Sequence, residues 1–176
     1  IPAPGLGALA AARGGRDSRL AGNLAALGVS ADDISVVSKH DTSTNANDPN
    51  EAELHSLIAQ ALGRSEGNPL YVVSQKTLTG HSKGGAALFQ LAGLTQIFAS
   101  GLIPGNMALD CMDPVFEEDS FLVWPRSPFQ HEGVKAGLIS SLGFGHVSAL
   151  LALAAPGAFE AAVERAHGAD RVEEWK

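Results

Sequence analysis

The chain has 176 residues, 45% of them hydrophobic, with 20 glycines and a formal charge of −7 from 19 acidic against 12 basic side chains. That length is of single-domain size and hides roughly 70% of the unfolded surface, and the acidic balance, with no Lys/Arg cluster longer than a pair, argues against nucleic acid as a partner. A lone cysteine, Cys111, excludes an intramolecular disulfide and makes the cytoplasm the default compartment, while the longest apolar run, VSALLALAAPGAF, is broken by Pro156 and excludes a membrane span.

The opening segment IPAPGLGALAAARGG has no basic region ahead of its small residues and is interrupted by Pro2, Pro4, Gly5 and Gly7, so it does not read as a signal peptide. It starts without Met on an extended Pro-x-Pro, which leads us to expect a fragment of a larger protein. From Asp17, DSRLAGNLAAL places Leu20, Leu24 and Leu27 at helical spacing, with Gly28 as a stop. DISVVSKH, Asp32 to His40, reads as a buried strand, and DTSTNANDPN after it reads as a loop whose side chains bond their own backbone. Asn50 is then the expected N-cap of EAELHSLIAQAL, a helix with Leu54, Leu57, Ile58, Ala61 and Leu62 on one face and Gly63 as its stop.

PLYVVSQK predicts a second strand, TLTGHSKGG a second turn, and AALFQLAGLTQIFASG a helix ending at Gly101. The order strand, loop, helix, strand, loop, helix predicts parallel neighbours joined by right-handed crossovers. SFLVWP, VKAGLISSL and VSALLALAAP follow as strand-like runs without helices between them, so the second half is expected to be antiparallel. The fold class is α/β: a mixed layered sheet with helices on its faces. One unit spans 1–156, and a charged, helical, peripheral tail spans 157–176.

On this skeleton His40 stands at the carboxyl end of the first strand and His81 just beyond the carboxyl end of the second. Parallel neighbours bring those ends together, where α/β folds place their ligands. Three chemistries compete for the turn at His81. Gly80-His81-Ser82-Lys83-Gly84 fits G-x-S-x-G, a hydrolase nucleophile elbow, but no HGGG-like oxyanion loop accompanies it and Lys76 is polar where the strand should be apolar. A phosphate-binding loop fails on order, because Lys83 precedes Gly84 and Gly85. The third groups His40, Thr42, Thr44, Asp48 and Glu51 from one loop with Lys76 and His81 from the other. Two neutral histidines donating to one point can hold a developing oxyanion or enolate, with Lys and Glu setting their orientation and charge. A single histidine is more often satisfied by a backbone group; two at adjacent strand ends reverse that preference.

KHDTSTNANDPNE, TLTGHSKGGAA and SLGFGHVS, in that order, resemble the C-terminal half of a β-ketoacyl synthase, and within that family the condensing domain of type I fatty acid synthases of actinobacteria and fungi. The resemblance runs from about Ile34 to Pro156 and implies half of a thiolase-like layered fold, with a mixed five-stranded sheet. It implies that His40 and His81 assist malonyl decarboxylation and hold thioester and enolate oxygens, that Lys76 pairs with Glu51 behind them, and that Asp48 buttresses the arrangement. Thr42 and Thr44 match the threonines that bond the phosphopantetheine arm, and Phe144 between Gly143 and Gly145 matches the gate for the acyl chain. The motif's H-G-T is His40-Asp41-Thr42 here, and its G-F-G-G-T-N is Gly143-Phe144-Gly145-His146-Val147-Ser148.

The family's nucleophile is a cysteine in the first half of the fold. Cys111 stands in the wrong half and reads as a buried or incidental thiol, so the nucleophile is expected outside this chain, which alone should condense nothing. No cofactor is implied for condensation beyond the phosphopantetheine that an acyl carrier protein brings. The implied partners are that carrier, the N-terminal half of the synthase domain, other synthase domains, and a second copy in a homo-oligomer. Rival readings are a thiolase, a non-catalytic structural part of the synthase, and the Ser82 hydrolase.

Overall fold

The protein is described by a computed structural model over residues 12–143 and 147–176. The first helix, α1 (Arg19–Ala26), is capped by Ser18, whose hydroxyl accepts from the Ala21 N–H at 3.1 Å. Strand β1 (Ile34–Ser38) is buried at all five positions. Helix α2 (Asn47–Ala61) begins at Asn47, inside the stretch expected to be loop, and Asn50 is not its cap. The start is set by Thr44: its carbonyl accepts from Asn47 and Asp48 N–H at 3.0 Å each, and its hydroxyl lies 3.3 Å from the Asn47 N–H. Pro49 falls in the first turn, where its missing N–H breaks no helical bond.

Strand β2 (Leu70–Val73) pairs parallel with β1, Val37 opposite Val72. It ends earlier than PLYVVSQK suggested. The Ser74 N–H donates to Asn106 Oδ1 at 2.9 Å instead of continuing a ladder, and Lys76–Thr79 coil into a short helix, α3. A 3-10 turn at Lys83–Gly85 leads into α4 (Ala86–Ser100), which stops at Gly101 in the left-handed conformation, φ 69°. The short strands β3 (Leu102–Ile103) and β5 (Phe129–Gln130) form an antiparallel pair of their own. Between them lie α5 (Pro114–Glu117) and β4 (Leu122–Val123). Strands β6 (Ala136–Leu142) and β7 (Ser148–Ala154) follow, and then α6 (Pro156–His167) and α7 (Ala169–Trp175), joined by a Phe159–Trp175 ring contact at 5.8 Å.

Among the described residues the main sheet has five strands in the order β4-β2-β1-β6-β7. Only β6 and β7 are antiparallel; β4 joins β2, and β6 joins β1, in parallel. Of the three later strand-like runs, β6 and β7 are antiparallel to each other as expected, whereas β4 is corrected to a parallel neighbour of β2. A hydrophobic run carries no sign of which strand it will lie beside; here β6 runs next to β1, with α4 packed against both. A Cβ on Gly137 would meet Leu94 of α4 at 2.6 Å, so glycine sets that closeness.

Both faces of the central strands β2, β1 and β6 are covered. Val37, Val72 and Leu138 pack with Leu24, Leu54 and Ile58 on the side of α1 and α2, while Val36, Val73 and Ile139 pack with Leu94 and Ile97 of α4. Neighbouring β1 residues point to opposite sides of a central parallel strand, which is why that strand reads as a continuous apolar run. Among the described residues no helix is long and apolar enough to cross a membrane.

Candidate functional site

Because β2, β1 and β6 run parallel, their carboxyl ends lie along one edge of the sheet. Gln90, on α4 and 1% exposed, ties that edge together: its Nε2 donates to the carbonyls of Ser38 (2.8 Å), Lys39 (2.9 Å) and Ser140 (3.1 Å). The chain then turns through Asp41 at φ 47° and Ser43 at φ 53°. Left-handed backbone costs an L-residue roughly 1–2 kcal/mol, and Asp is among the few side chains that adopt it routinely. Asp41 stands where the motif it resembles has glycine, and its positive φ accounts for both residues at that position.

Glu51 holds this turn. Fully buried, it accepts from the backbone N–H of His40, from the Asp41 N–H at 2.8 Å, from Asn47 Nδ2 at 3.1 Å and from Ser140 Oγ at 2.6 Å. Burial pushes its pKa up, but His55 beside it, Ser140 and the Asp41 N–H outweigh that and bring it down to about 2, so the carboxylate is ionised. Lys76 reaches the same turn from the other side and donates to the His40 carbonyl. The expected direct Lys76–Glu51 ion pair is absent among the described residues. Instead the peptide between His40 and Asp41 lies between them, its C=O toward the ammonium and its N–H toward the carboxylate, so both charges stabilise one peptide orientation.

The two histidines converge. The His40 and His81 ring centroids are 5.5 Å apart with planes at 85°. His40 is 7% exposed, and burial together with the Lys76 charge lowers its pKa below 6.5, which favours the neutral ring. His81 is exposed, and its Nδ1 accepts from the Lys83 N–H at 3.1 Å. Since that nitrogen uses its lone pair, a neutral His81 carries its proton on Nε2, a hydrogen-bond donor free of the turn. Lys83 adopts φ 51° to make that contact.

The remaining expected residues divide. The Thr42 and Thr44 hydroxyls lie 3.4 Å apart on the same loop. The Asp48 carboxylate lies 3.9 Å from Lys39, which also pairs with Asp41 at 3.3 Å, and burial pushes the Asp48 pKa up. The Gly143 N–H donates to the Val147 carbonyl at 2.7 Å, just past the end of β6, whereas Phe144 and Gly145 lie outside the described residues. Ser82 is no nucleophile elbow: α3 separates it from β2, and its φ of −81° carries no strain. Cys111 is exposed, so of the two readings, a buried or an incidental thiol, the buried one falls.

Sequence reasoning missed Ser140, His55, Gln90 and Asn106. His55 left a signal, since it lies one helical turn after Glu51; its Nε2 is 3.8 Å from Glu51 Oε1. Asn106 holds the exit of β2, accepting from Ser74 and donating to the carbonyls of Val72 (2.9 Å) and Pro125 (3.1 Å). For Ser140, Gln90 and Asn106 the partners are far away in the chain and leave no local pattern.

Residues 6–110 match the family described as Beta-ketoacyl synthase, C-terminal domain. The fatty acid synthase subunit alpha of Candida albicans is 43% identical over 150 residues, covering 85% of this chain and 8% of that protein. That of Saccharomyces cerevisiae is 45% identical over 133 residues, covering 74% of this chain and 7% of that protein. The chain therefore spans less than a tenth of the length of these relatives. Among solved structures, the ketosynthase FabY from P. aeruginosa superposes with a TM-score of 0.79 at 23% identity, over 99% of this chain and 26% of that one. The ketosynthase in complex with a type II polyketide synthase acyl-carrier protein gives 0.65 at 24% identity, over 88% of this chain and 34% of that one. The layered fold is that of these ketosynthases.

Proposed function

The chain belongs to the β-ketoacyl synthase C-terminal domain family, and from that premise we propose that it supplies the histidine half of a condensing site in fatty acid biosynthesis. The reaction joins an acyl group held on a cysteine to malonyl held on an acyl carrier protein. The observation that carries this reading is the pair of imidazoles at 5.5 Å, one buried and neutral, the other with Nε2 left free to donate.

In this reading His40 and His81 donate N–H groups to the malonyl thioester oxygen. As the bond from C2 to the carboxylate breaks and CO₂ leaves, its electron pair moves to C2 and is shared with that oxygen, and fixed donors aimed at the growing charge lower the barrier. C2 then attacks the acyl-thioester carbon, the new carbon–carbon bond forms, and the cysteine leaves as thiolate. Cys111 is exposed on the loop after β3, and the nucleophile comes from the other half of the fold, outside this chain. Leu88 and Phe89, 69% and 47% exposed on the outer face of α4, offer that half an apolar surface.

Thr42 and Thr44 present two hydroxyls that suit the amides of a phosphopantetheine arm delivered by the carrier, and Phe144, flanked by Gly143 and Gly145, gates the acyl chain. Asp48 steadies the loop through Lys39. The acyl carrier, the N-terminal half of the synthase, its other domains and a second copy are the partners, and the cytoplasm is the place of action. The test is release of labelled CO₂ from malonyl carrier by the assembled synthase. His40→Ala and His81→Ala are each expected to slow it by about 100-fold or more; wild-type release from both would reject a catalytic role in favour of a structural one.

A further inference from the structure

We infer that Ser140 and His55 are positioning residues that fix the backbone of His40, and through it the direction of its imidazole, by completing a buried hydrogen-bond hub around Glu51. This inference rests on the proposed role of His40.

Proton counting carries it. Ser140 is fully buried on β6, and three polar atoms surround its Oγ: Glu51 Oε1 at 2.6 Å, the His40 N–H at 3.1 Å and His55 Nε2 at 3.1 Å. A hydroxyl has one proton and two lone pairs. The carboxylate can only accept, so the hydroxyl proton goes to Glu51. The His40 amide can only donate, so it takes one lone pair. The second lone pair is left for His55, which must therefore carry its proton on Nε2. The assignment is unique, and it uses the full capacity of the Ser140 hydroxyl. His55 is 1% exposed, and its Nδ1 has no hydrogen-bond partner among the described residues.

The geometry gives this hub its function. Ser140 sits on β6, His55 and Glu51 on α2, and His40 at the end of β1, so one hydroxyl joins three elements at the atom where the catalytic loop leaves the sheet. The His40 N–H is shared between Glu51 and Ser140. Removing the hydroxyl leaves Glu51 as the sole acceptor for that N–H and takes one donor from the carboxylate. The loop, already left-handed at Asp41, then loses a constraint on the direction in which His40 points. Neither residue reaches the substrate, so the effect falls on turnover and not on carrier binding.

The experiment uses the full synthase carrying this chain and measures kcat and KM for CO₂ release from malonyl carrier, with urea unfolding as a check on folding. Ser140→Ala and His55→Phe are expected to lower kcat by about tenfold or more while KM stays within about twofold, since a small misplacement of a catalytic group has effects of that size. Ser140→Thr, which keeps the hydroxyl, and His55→Gln, which keeps a donor near Nε2, should recover most of kcat. Wild-type kcat in folded Ser140→Ala or His55→Phe overturns the inference, as does an equal loss in the variants that keep the polar group. If Ser140→Ala does not fold, the His55→Phe and His55→Gln pair decides by the same criteria. His40→Ala is run alongside: unchanged CO₂ release there rejects the proposed function itself, whereas loss there with no effect at Ser140 and His55 rejects only the positioning role.

Discussion

The carboxyl ends of β1 and β2 each deliver one histidine, yet they are built differently. At the β1 end His40 is buried, its N–H held by Glu51 and Ser140 and its carbonyl by Lys76. At the β2 end His81 is exposed, and its ring is fixed by a single N–H from its own turn. Two side chains with one proposed chemistry thus carry different structural weight. Placing a neutral imidazole in a dry site takes a network that also stabilises the fold, whereas placing one at a rim takes a turn of the right shape.

Breaking the β1 network should give the largest effect. Glu51→Ala leaves the Asp41 amide, Asn47 and Ser140 without their acceptor and the His40 amide with Ser140 alone, and removing one member of a buried charged network costs about 3–5 kcal/mol, readable as a lower urea midpoint. The same asymmetry should appear with pH. Glu51 falls from 4.5 to about 2 on folding. Its stabilisation is therefore complete above 4.5 and is lost as pH drops from there toward 2, because the unfolded chain takes up a proton that the native state refuses. That shift corresponds to about 3 kcal/mol, and Glu51→Gln should flatten this part of the pH–stability curve. His40 acts in the same direction at higher pH: its folded pKa lies below 6.5, so its stabilisation is present above 6.5 and lost as pH falls through the folded value.

A smaller effect sharpens the comparison. Gln90→Leu keeps the bulk at the sheet edge but leaves the carbonyls of Ser38, Lys39 and Ser140 without their shared donor, for a loss of about 1–3 kcal/mol; an unchanged urea midpoint would show that these strand ends need no tie. The smallest effects belong to the β2 turn. His81→Ala and Ser82→Ala should each leave the unfolding free energy within about 0.5 kcal/mol of wild type.

What could be read from the sequence follows the same division. Apolar runs and stops gave β1, β2, α4 and its end at Gly101, and the placement of two histidines at neighbouring strand ends needed only parallel order. Helix α2 began early because Thr44 and the first-turn Pro49 make a start out of residues that also make loops. The direction of β6 was hidden, since a strand's own pattern does not name its neighbour. Residue type groups Lys76 and Glu51 at one site, the resemblance implies their pairing, and the peptide between them cannot be inferred from spacing. Ser140 lies 89 residues from Glu51, and no local pattern connects a strand serine to a helix carboxylate so far away. His55 alone among the missed residues was within reach, through its helical spacing from Glu51.

The turn Gly80-His81-Ser82 tests the central claim most directly, because two adjacent residues there make opposite predictions. In the assembled synthase, CO₂ release from malonyl carrier should fall by about 100-fold or more in His81→Ala and remain at the wild-type level in Ser82→Ala. Full activity in His81→Ala, or its loss in a folded Ser82→Ala, would contradict the account.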